Sequence, residues 1–310
     1  MRFLPLVLFG SLAAARCGTR EPSERIHSRH RYYQEKEDRE AARVAARDAF
    51  DVTIDTYVHV VTNNETQGVN RSSLPAQIHE QIDVLNENYN KAGFTFNLVN
   101  VSYTHNNAWR AITDGSETEY EVKSQLRQGD YKALNLYLGT IGGGVLGYAT
   151  FPDEVTSREF AVDGVVCDPR SLPGGKAPYD LGITAVHETG HWLNLFHTFQ
   201  SESMDPLGGC YGAGDHIHDT PAEGYPNYGC PKHRDTCTGA VESNNTLSVP
   251  GLDPVHNIMD YSDDACLTQL TQGQIVRIQN SWKELREGFT PKTHARRGNF
   301  ERLAKPGLTW

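Results

Sequence analysis

The sequence predicts an α/β domain of the α+β kind: a twisted mixed sheet backed by helices, then an irregular half and a closing helix. Three observations predict it. Strand-like and helix-like patterns alternate from Asp51 to Cys167, an order that layers helices on a sheet. From Thr198 to Ser262 the periodicity fades and Gly, Pro, Asp and Cys take over. Four of the six cysteines, Cys210, Cys230, Cys237 and Cys266, fall in this second half, where few periodic apolar residues are available to hold the chain.

Residues 1–15, MRFLPLVLFGSLAAA, carry one basic residue, an apolar run and small residues, the pattern of an export signal. Residues 16–50 are crowded with Arg, Glu and His. Their RYYQEKEDREAARVAARDAF stretch predicts a solvated helix with no core face, in a pro-segment or a disordered linker. At Asp51 the character changes, and DVTIDTYVHVVT has the alternation of a strand. Ser73 to Ala92 reads as a helix through Leu74, Ile78, Ile82, Leu85 and Tyr89, with Gly93 placed to cap it. Strands are expected at 94–103, 133–139 and 160–167, a helix at Glu117–Gln128, and a strand with a glycine-rich run at 141–152. The closing helix is 271–288, marked by Ile275, Ile278, Trp282 and Leu285. One domain therefore spans 51–290, and 291–310 is a basic tail. No internal repeat is present.

A net charge of -10 over 310 residues argues against a nucleic-acid binder, which would need clustered basic residues to meet phosphate. Beyond residue 15 no apolar stretch is long enough to span a bilayer. The chain reads as a secreted, extracellular monomer with no membrane anchor. Sequons at Asn64, Asn70, Asn100 and Asn244 agree with a secretory route.

The chemistry concentrates in HETGHWLNLFH, residues 187–197, within a helix expected to open near Asp180. His187 and His191 are four residues apart, so both imidazoles share one helical face and reach one cation, with Glu188 beside the first. Zinc accepts nitrogen ligands tetrahedrally, and a catalytic site takes three from protein and leaves the fourth position to water. His197 supplies the third if the helix stops after His191 and the chain turns sharply. Asn194 sits where that turn is needed, and Asn tolerates the left-handed conformation best among residues with a side chain.

His187, Glu188, His191 and His197 resemble the extended zinc motif of the metzincins, and NIMDYS at 257–262 resembles their Met-turn, with Met259 as the floor beneath the ligands. HETGHWLNLFHTFQ, DTPAE and NIMDYSDDAC together are similar to the pappalysin family, especially its small secreted fungal-type metalloproteases; the likeness runs over about 51–290. The family usually has Gly at the position of Asn194, and a surviving turn is expected because Asn adopts the same backbone shape. The resemblance implies a zincin/metzincin fold and hydrolysis of internal peptide bonds in proteins or peptides. Glu188 would be the general base and Tyr261 would steady the oxyanion. It also pairs Cys237 with Cys266, which leaves Cys210–Cys230 as the simplest second bridge, although four cysteines allow three connectivities. Arg-Cys-Gly-Thr around Cys17 resembles a cysteine switch, in which a thiolate occupies the metal and keeps the enzyme latent; the other readings are that Cys17 belongs to the export signal or pairs with Cys167. Cys167 is otherwise a buried apolar residue. Asp215, Asp219 and Thr220 form an oxygen-rich loop suited to calcium, or else plain turns and caps. His216, His218 and His233 lack ligand spacing and are expected at the surface. Two rival functions remain: a binding protein with a structural zinc, which Glu188 disfavours, and a zinc hydrolase of other amides, which the Met-turn disfavours.

Overall fold

The computed structural model describes residues 16–41, 50–64, 66, 69–70, 72–202, 208–238 and 251–289. The export signal, the basic tail and the sequon at Asn244 lie outside the described residues; Asn64, Asn70 and Asn100 are exposed.

Five strands form one sheet in the order β2-β1-β3-β5-β4. The long β1 (Val52–Thr62) lies parallel to both β2 (Phe94–His105) and β3 (Leu134–Leu138). Next comes β5 (Val165–Cys167), parallel to β3, and last the antiparallel edge strand β4 (Gly147–Ala149). Alternation divides each strand between two faces. Ile54, Val58 and Val60 of β1 join Leu134, Leu136 and Leu138 of β3 in the main core. Val61, Tyr137 and Val166 face the other side with Trp109, Ile112 and Val122.

The main core is covered by α2 (Leu74–Tyr89), α5 (Ile183–Trp192) and α7 (Gln272–Ser281). In α2, Leu74, Ile78, Ile82, Leu85 and Tyr89 are buried, the stripe the sequence predicts. A short 3-10 turn, Asn90–Ala92, ends on Gly93 at φ 78°. The opposite face carries α3 (Glu117–Leu126). Among the described residues no helix is long and apolar enough to cross a membrane.

Four expectations are corrected. The stretch 160–167 is not one strand. A short helix α4 (Ser157–Val162), opened by a Thr156/Glu159 capping box, ends before Gly164 at φ 140°, and only Val165–Cys167 joins the sheet. The helix of the HETGH motif opens at Ile183 rather than near Asp180, because Gly182 in the left-handed region is its cap. The closing helix is α-helical only to Ser281 and continues as a wider π-type turn over Trp282–Glu287. There Arg286 reaches the Trp192 carbonyl (2.9 Å) and Asp163 (3.1 Å).

Fourth, the charged N-terminal segment does have an inward face. Its helix α1 (Glu24–Ala41) buries His27, His30, Tyr33 and Gln34. These fall at helical spacing, yet only one is a conventional apolar residue. Arg277 of α7 anchors α1 by pairing with Glu37 at 3.0 Å and lying over the Tyr33 ring.

The disulfides also differ from expectation. Cys210, on α6 (Gly208–Tyr211), bonds Cys237 across a Cα separation of 5.2 Å, and Cys230 bonds Cys266 across 6.0 Å. Neither Cys237–Cys266 nor Cys210–Cys230 forms. Backbone packing explains it: the Asp263 amide donates to the Gly229 carbonyl at 3.0 Å, bringing the segment before Cys266 beside Cys230. Cys210 meanwhile packs with Ala222 and Cys237. Cys17 and Cys167 are unbridged and buried, so they do not pair with each other.

Candidate metal centre and active site

All ten residues of α5 are buried, so its imidazoles and carboxylate enter the site from a rigid support. Tyr89 of α2 donates to the Val186 carbonyl at 2.8 Å, and Gln81 donates to the Gly182 carbonyl at 2.9 Å. The helix then stops as Asn194 takes φ 80°, with the Asn194 amide on the His191 carbonyl (2.8 Å) and the Leu195 amide on the Gly190 carbonyl (2.9 Å). This turn swings His197 back toward α5. His191 Nε2 and His197 Nε2 come within 3.0 Å.

The second nitrogen of each α5 imidazole is tied to backbone. His187 Nδ1 is 2.7 Å from the Ile258 carbonyl and His191 Nδ1 is 2.8 Å from the Leu195 carbonyl. A carbonyl only accepts, so both rings are Nδ1–H tautomers with an Nε2 lone pair turned into the site. His187 Nε2 is buried with no hydrogen-bond partner among the described residues. Burial pushes the pKa of His191 down to about 4 and that of His187 well below the usual range. Neutral nitrogens converging without donors between them suit a cation, and the donor set fits zinc. Cys17 Sγ completes the group: it and the three imidazoles offer ligand atoms all within 4.8 Å of one another.

Glu188 is fully buried, and burial pushes its carboxyl up to about 8. Its Oε2 accepts from Thr19 Oγ1 at 2.9 Å and from Cys17 Sγ at 3.3 Å. Beneath α5, Met259 is wholly buried, and a side chain at Gly190 would strike its sulfur. Tyr261 Oη lies 3.2 Å from His197 Nε2 and 3.4 Å from the Cys17 carbonyl.

The model of the Peptidase_M43 family, described as pregnancy-associated plasma protein-A, matches residues 119–283. An extracellular metalloprotease of Pyricularia oryzae is 42% identical over 277 residues, 88% of this chain and 90% of that protein. Extracellular metalloprotease 1 of Coccidioides posadasii is 40% identical over 90% of this chain and 96% of its own length. The chain belongs to the Peptidase_M43 family. Solved relatives agree. Mature mirolysin of Tannerella forsythia with a cleaved peptide is 29% identical at TM-score 0.59, covering 84% of this chain and all of that one. A promirolysin mutant is 27% identical at TM-score 0.61, covering 94% and 99%. As an M43 protein, the chain is a metalloendopeptidase with a metzincin-like fold, and the rival readings are not favoured.

Around this M43 centre the structure gathers residues that sequence reasoning passed over. Arg16 is fully buried, with one guanidinium nitrogen on Asp264 Oδ1 at 2.8 Å and another on the Ser262 carbonyl. The Gly18 amide donates to the Gly147 carbonyl at 2.8 Å, and the Leu146 amide to the Arg16 carbonyl at 3.2 Å, so residues 16–18 lie along β4. Thr19 Oγ1 also accepts from the Ala149 amide at 2.9 Å. The only sequence signal for this arrangement is the ARCGT run itself.

Asp215, Asp219 and Thr220 are not gathered at the M43 centre. Asp215 Oδ1 accepts from the Ile217 amide (3.0 Å), and Asp219 Oδ2 accepts from the Gly273 amide at the start of α7 (2.8 Å). His218 and His233 are exposed as expected, but His216 is buried, with Nδ1 3.0 Å from Gln34 Oε1 and Nε2 2.8 Å from Glu202 Oε1. It was misplaced because its partners come from α1 and a distant loop.

Proposed function

We propose that the chain is the latent precursor of a secreted zinc endopeptidase, in which His187, His191 and His197 hold one zinc ion and Glu188 is the general base. The observation that carries the reading is the convergence of three buried imidazoles, two of them oriented by backbone carbonyls, beside a buried, proton-seeking carboxylate. Zinc held there supplies a Lewis acid and makes water a nucleophile near neutral pH. Glu188 takes the proton of the attacking water at a carboxylate oxygen and returns it to the leaving amine. Its burial raises its proton affinity toward the working range, while Thr19 and Cys17 oxygen and sulfur contacts occupy it in the precursor. Tyr261, whose hydroxyl lies 3.2 Å from His197 Nε2, would donate to the developing oxyanion. The β4 edge, which carries residues 16–18 here, is the strip on which a substrate backbone would lie extended.

Latency follows from the same geometry. Cys17 Sγ stands 3.6 Å from His191 Nε2, among the atoms that would hold the ion, where it would exclude water. Burial and the Glu188 charge push its thiol well above the usual range, so a thiolate there requires a cation beside it. Coverage of this chain rises from 84% with mature mirolysin to 94% with the promirolysin mutant, which supports reading residues 16–50 as the pro-segment. Asp215 Oδ2, buried without a hydrogen-bond partner among the described residues, is the oxygen a calcium ion at that loop would take.

The test is digestion of casein and a quenched peptide by protein lacking residues 1–50, with and without chelator. Glu188→Gln is expected to lower kcat/KM by at least about 100-fold, the scale of general-base catalysis. Wild-type turnover by the variant would defeat the assignment.

A further inference from the structure

Among the described residues a second group has metal-ligand spacing: His27 on α1, with Glu202 and His216 from the body of the protein, offering ligand atoms within 4.8 Å of one another. None belongs to the HETGH centre. His216 Nε2 is 2.8 Å and His27 Nδ1 3.6 Å from Glu202 Oε1. A tetrahedral ion with bonds of about 2.0 Å sets its ligands about 3.3 Å apart, so these separations bracket the requirement.

Two details point to a ligand. His27 is 7% exposed, and its Nδ1 is buried with no hydrogen-bond partner among the described residues. Leaving a buried ring nitrogen unpaired is costly, and Nδ1 faces a carboxylate oxygen at a distance too long for a hydrogen bond. His216 is 1% exposed and oriented through Nδ1 by Gln34 Oε1, the outer support usual for a metal-binding imidazole. We propose that His27, His216 and Glu202 form a second site for a divalent transition metal, of the zinc or nickel type, which fastens α1 to the body of the protein. Two imidazoles and one carboxylate are ligands such ions accept, with water completing the shell.

Neighbouring charges are compatible with this. Arg31 donates to the same Glu202 Oε1 at 2.8 Å, but a carboxylate oxygen has two lone-pair directions, so one can meet the guanidinium and the other an ion. Arg277, which donates to the His216 carbonyl at 2.7 Å and to His30 Nδ1 at 2.9 Å, is neutralised by Glu37 at 3.0 Å. The site stands apart from the catalytic reading, but that the helix it fastens belongs to a pro-segment rests on the proposed function.

The experiment uses the full secreted precursor carrying Glu188→Gln to prevent self-cleavage, stripped with chelator and dialysed against zinc alone. Two ions per chain are expected. Adding Glu202→Gln, a partly exposed position that folding tolerates, or His27→Ala, should leave one. A cobalt-loaded sample reports which one. The thiolate-to-cobalt band of the Cys17 centre should persist in both variants and vanish in His191→Ala, which should retain the ion at His27. If Glu202→Gln and His27→Ala bind as many ions as their parent, the second site does not exist. Loss of the thiolate band from the parent alone would instead count against the catalytic centre.

Discussion

Gly190 is where the helix of the HETGH motif meets the floor of the site. An added Cβ would strike Met259 Sδ, and Ile258, the residue before it, orients His187 through its carbonyl. Gly190→Ala should therefore cost about 1–3 kcal/mol by overpacking, and it should weaken zinc retention by disturbing that bond. Thermal unfolding and competition with a chromogenic chelator would show both; a variant with wild-type zinc affinity would mean that Met259 moves without disturbing His187. His59 makes a prediction about pH. It is buried between Ser102 Oγ (2.8 Å) and Asn135 Oδ1 (2.9 Å), and burial pushes its pKa down to about 4. An unfolded histidine titrates near about 6.5. The folded value is the lower, so the unfolded state binds the proton first. The stabilisation is complete above the unfolded value and drains away as pH falls toward the folded one, amounting to about 3 kcal/mol. Denaturant titrations at neutral pH and near the folded pKa should show the gap between wild type and His59→Gln closing by roughly that amount on acidification. A constant gap would exclude the assignment.

At the scale of elements, what was legible in the sequence depended on whether one periodic pattern described the whole segment. The strand from Val52 and the helix from Leu74 each carry an uninterrupted apolar rhythm, and both stand where it places them. Asn194 was legible too, because a turn between two ligands needs a residue that tolerates positive φ. The sequence did not reveal why the side chain is Asn rather than Gly. Its Oδ1 lies 3.0 Å from His30 Nε2, so the turn also holds α1. The inward face of that helix escaped notice because it is built from His, Tyr and Gln, whose polar partners lie far away in sequence. The short α4 and β5 were merged because Phe160 to Cys167 reads as one apolar run, interrupted only by Asp163-Gly164. The extended piece ahead of α1 is fastened at Arg16, whose fully buried guanidinium pairs with Asp264. Removing one partner of such a pair costs about 3–5 kcal/mol. Arg16→Ala in the full-length chain should thus free residues 16–20 from β4, seen as faster hydrogen exchange at Gly18 and, on the proposed latency, as higher activity of the uncut chain. Unchanged exchange would show that the thiol and Thr19 suffice to hold the segment.

For the whole molecule, the irregular half is fastened by two bridges that overlap along the chain: Cys210–Cys237 encloses Cys230, and Cys230–Cys266 encloses Cys237. Spacing alone left three connectivities open, and the choice follows from which backbones meet. The Gly229 carbonyl and Asp263 amide join two strands of loop, and Arg234 is held to the Pro226 carbonyl at 2.7 Å. This half also reaches the metal centre, because the Thr198 amide donates to the Met259 carbonyl at 3.3 Å and Thr198 Oγ1 donates to Glu223 at 2.6 Å. Glu223 in turn accepts from Asn227 at 2.6 Å, three residues before Cys230. Peptide mapping without reduction should yield the linked pairs 210/237 and 230/266, and a 237/266 peptide would contradict the packing. A 27-residue separation corresponds to about 3.5 kcal/mol of loop-closure stabilisation. The Cys210→Ser/Cys237→Ser protein should therefore unfold at a lower temperature. Because Thr198 and Glu223 couple that loop to the Met259 turn, it should also release zinc faster than wild type, whereas an independent loop would lower the melting temperature and leave the zinc off-rate unchanged.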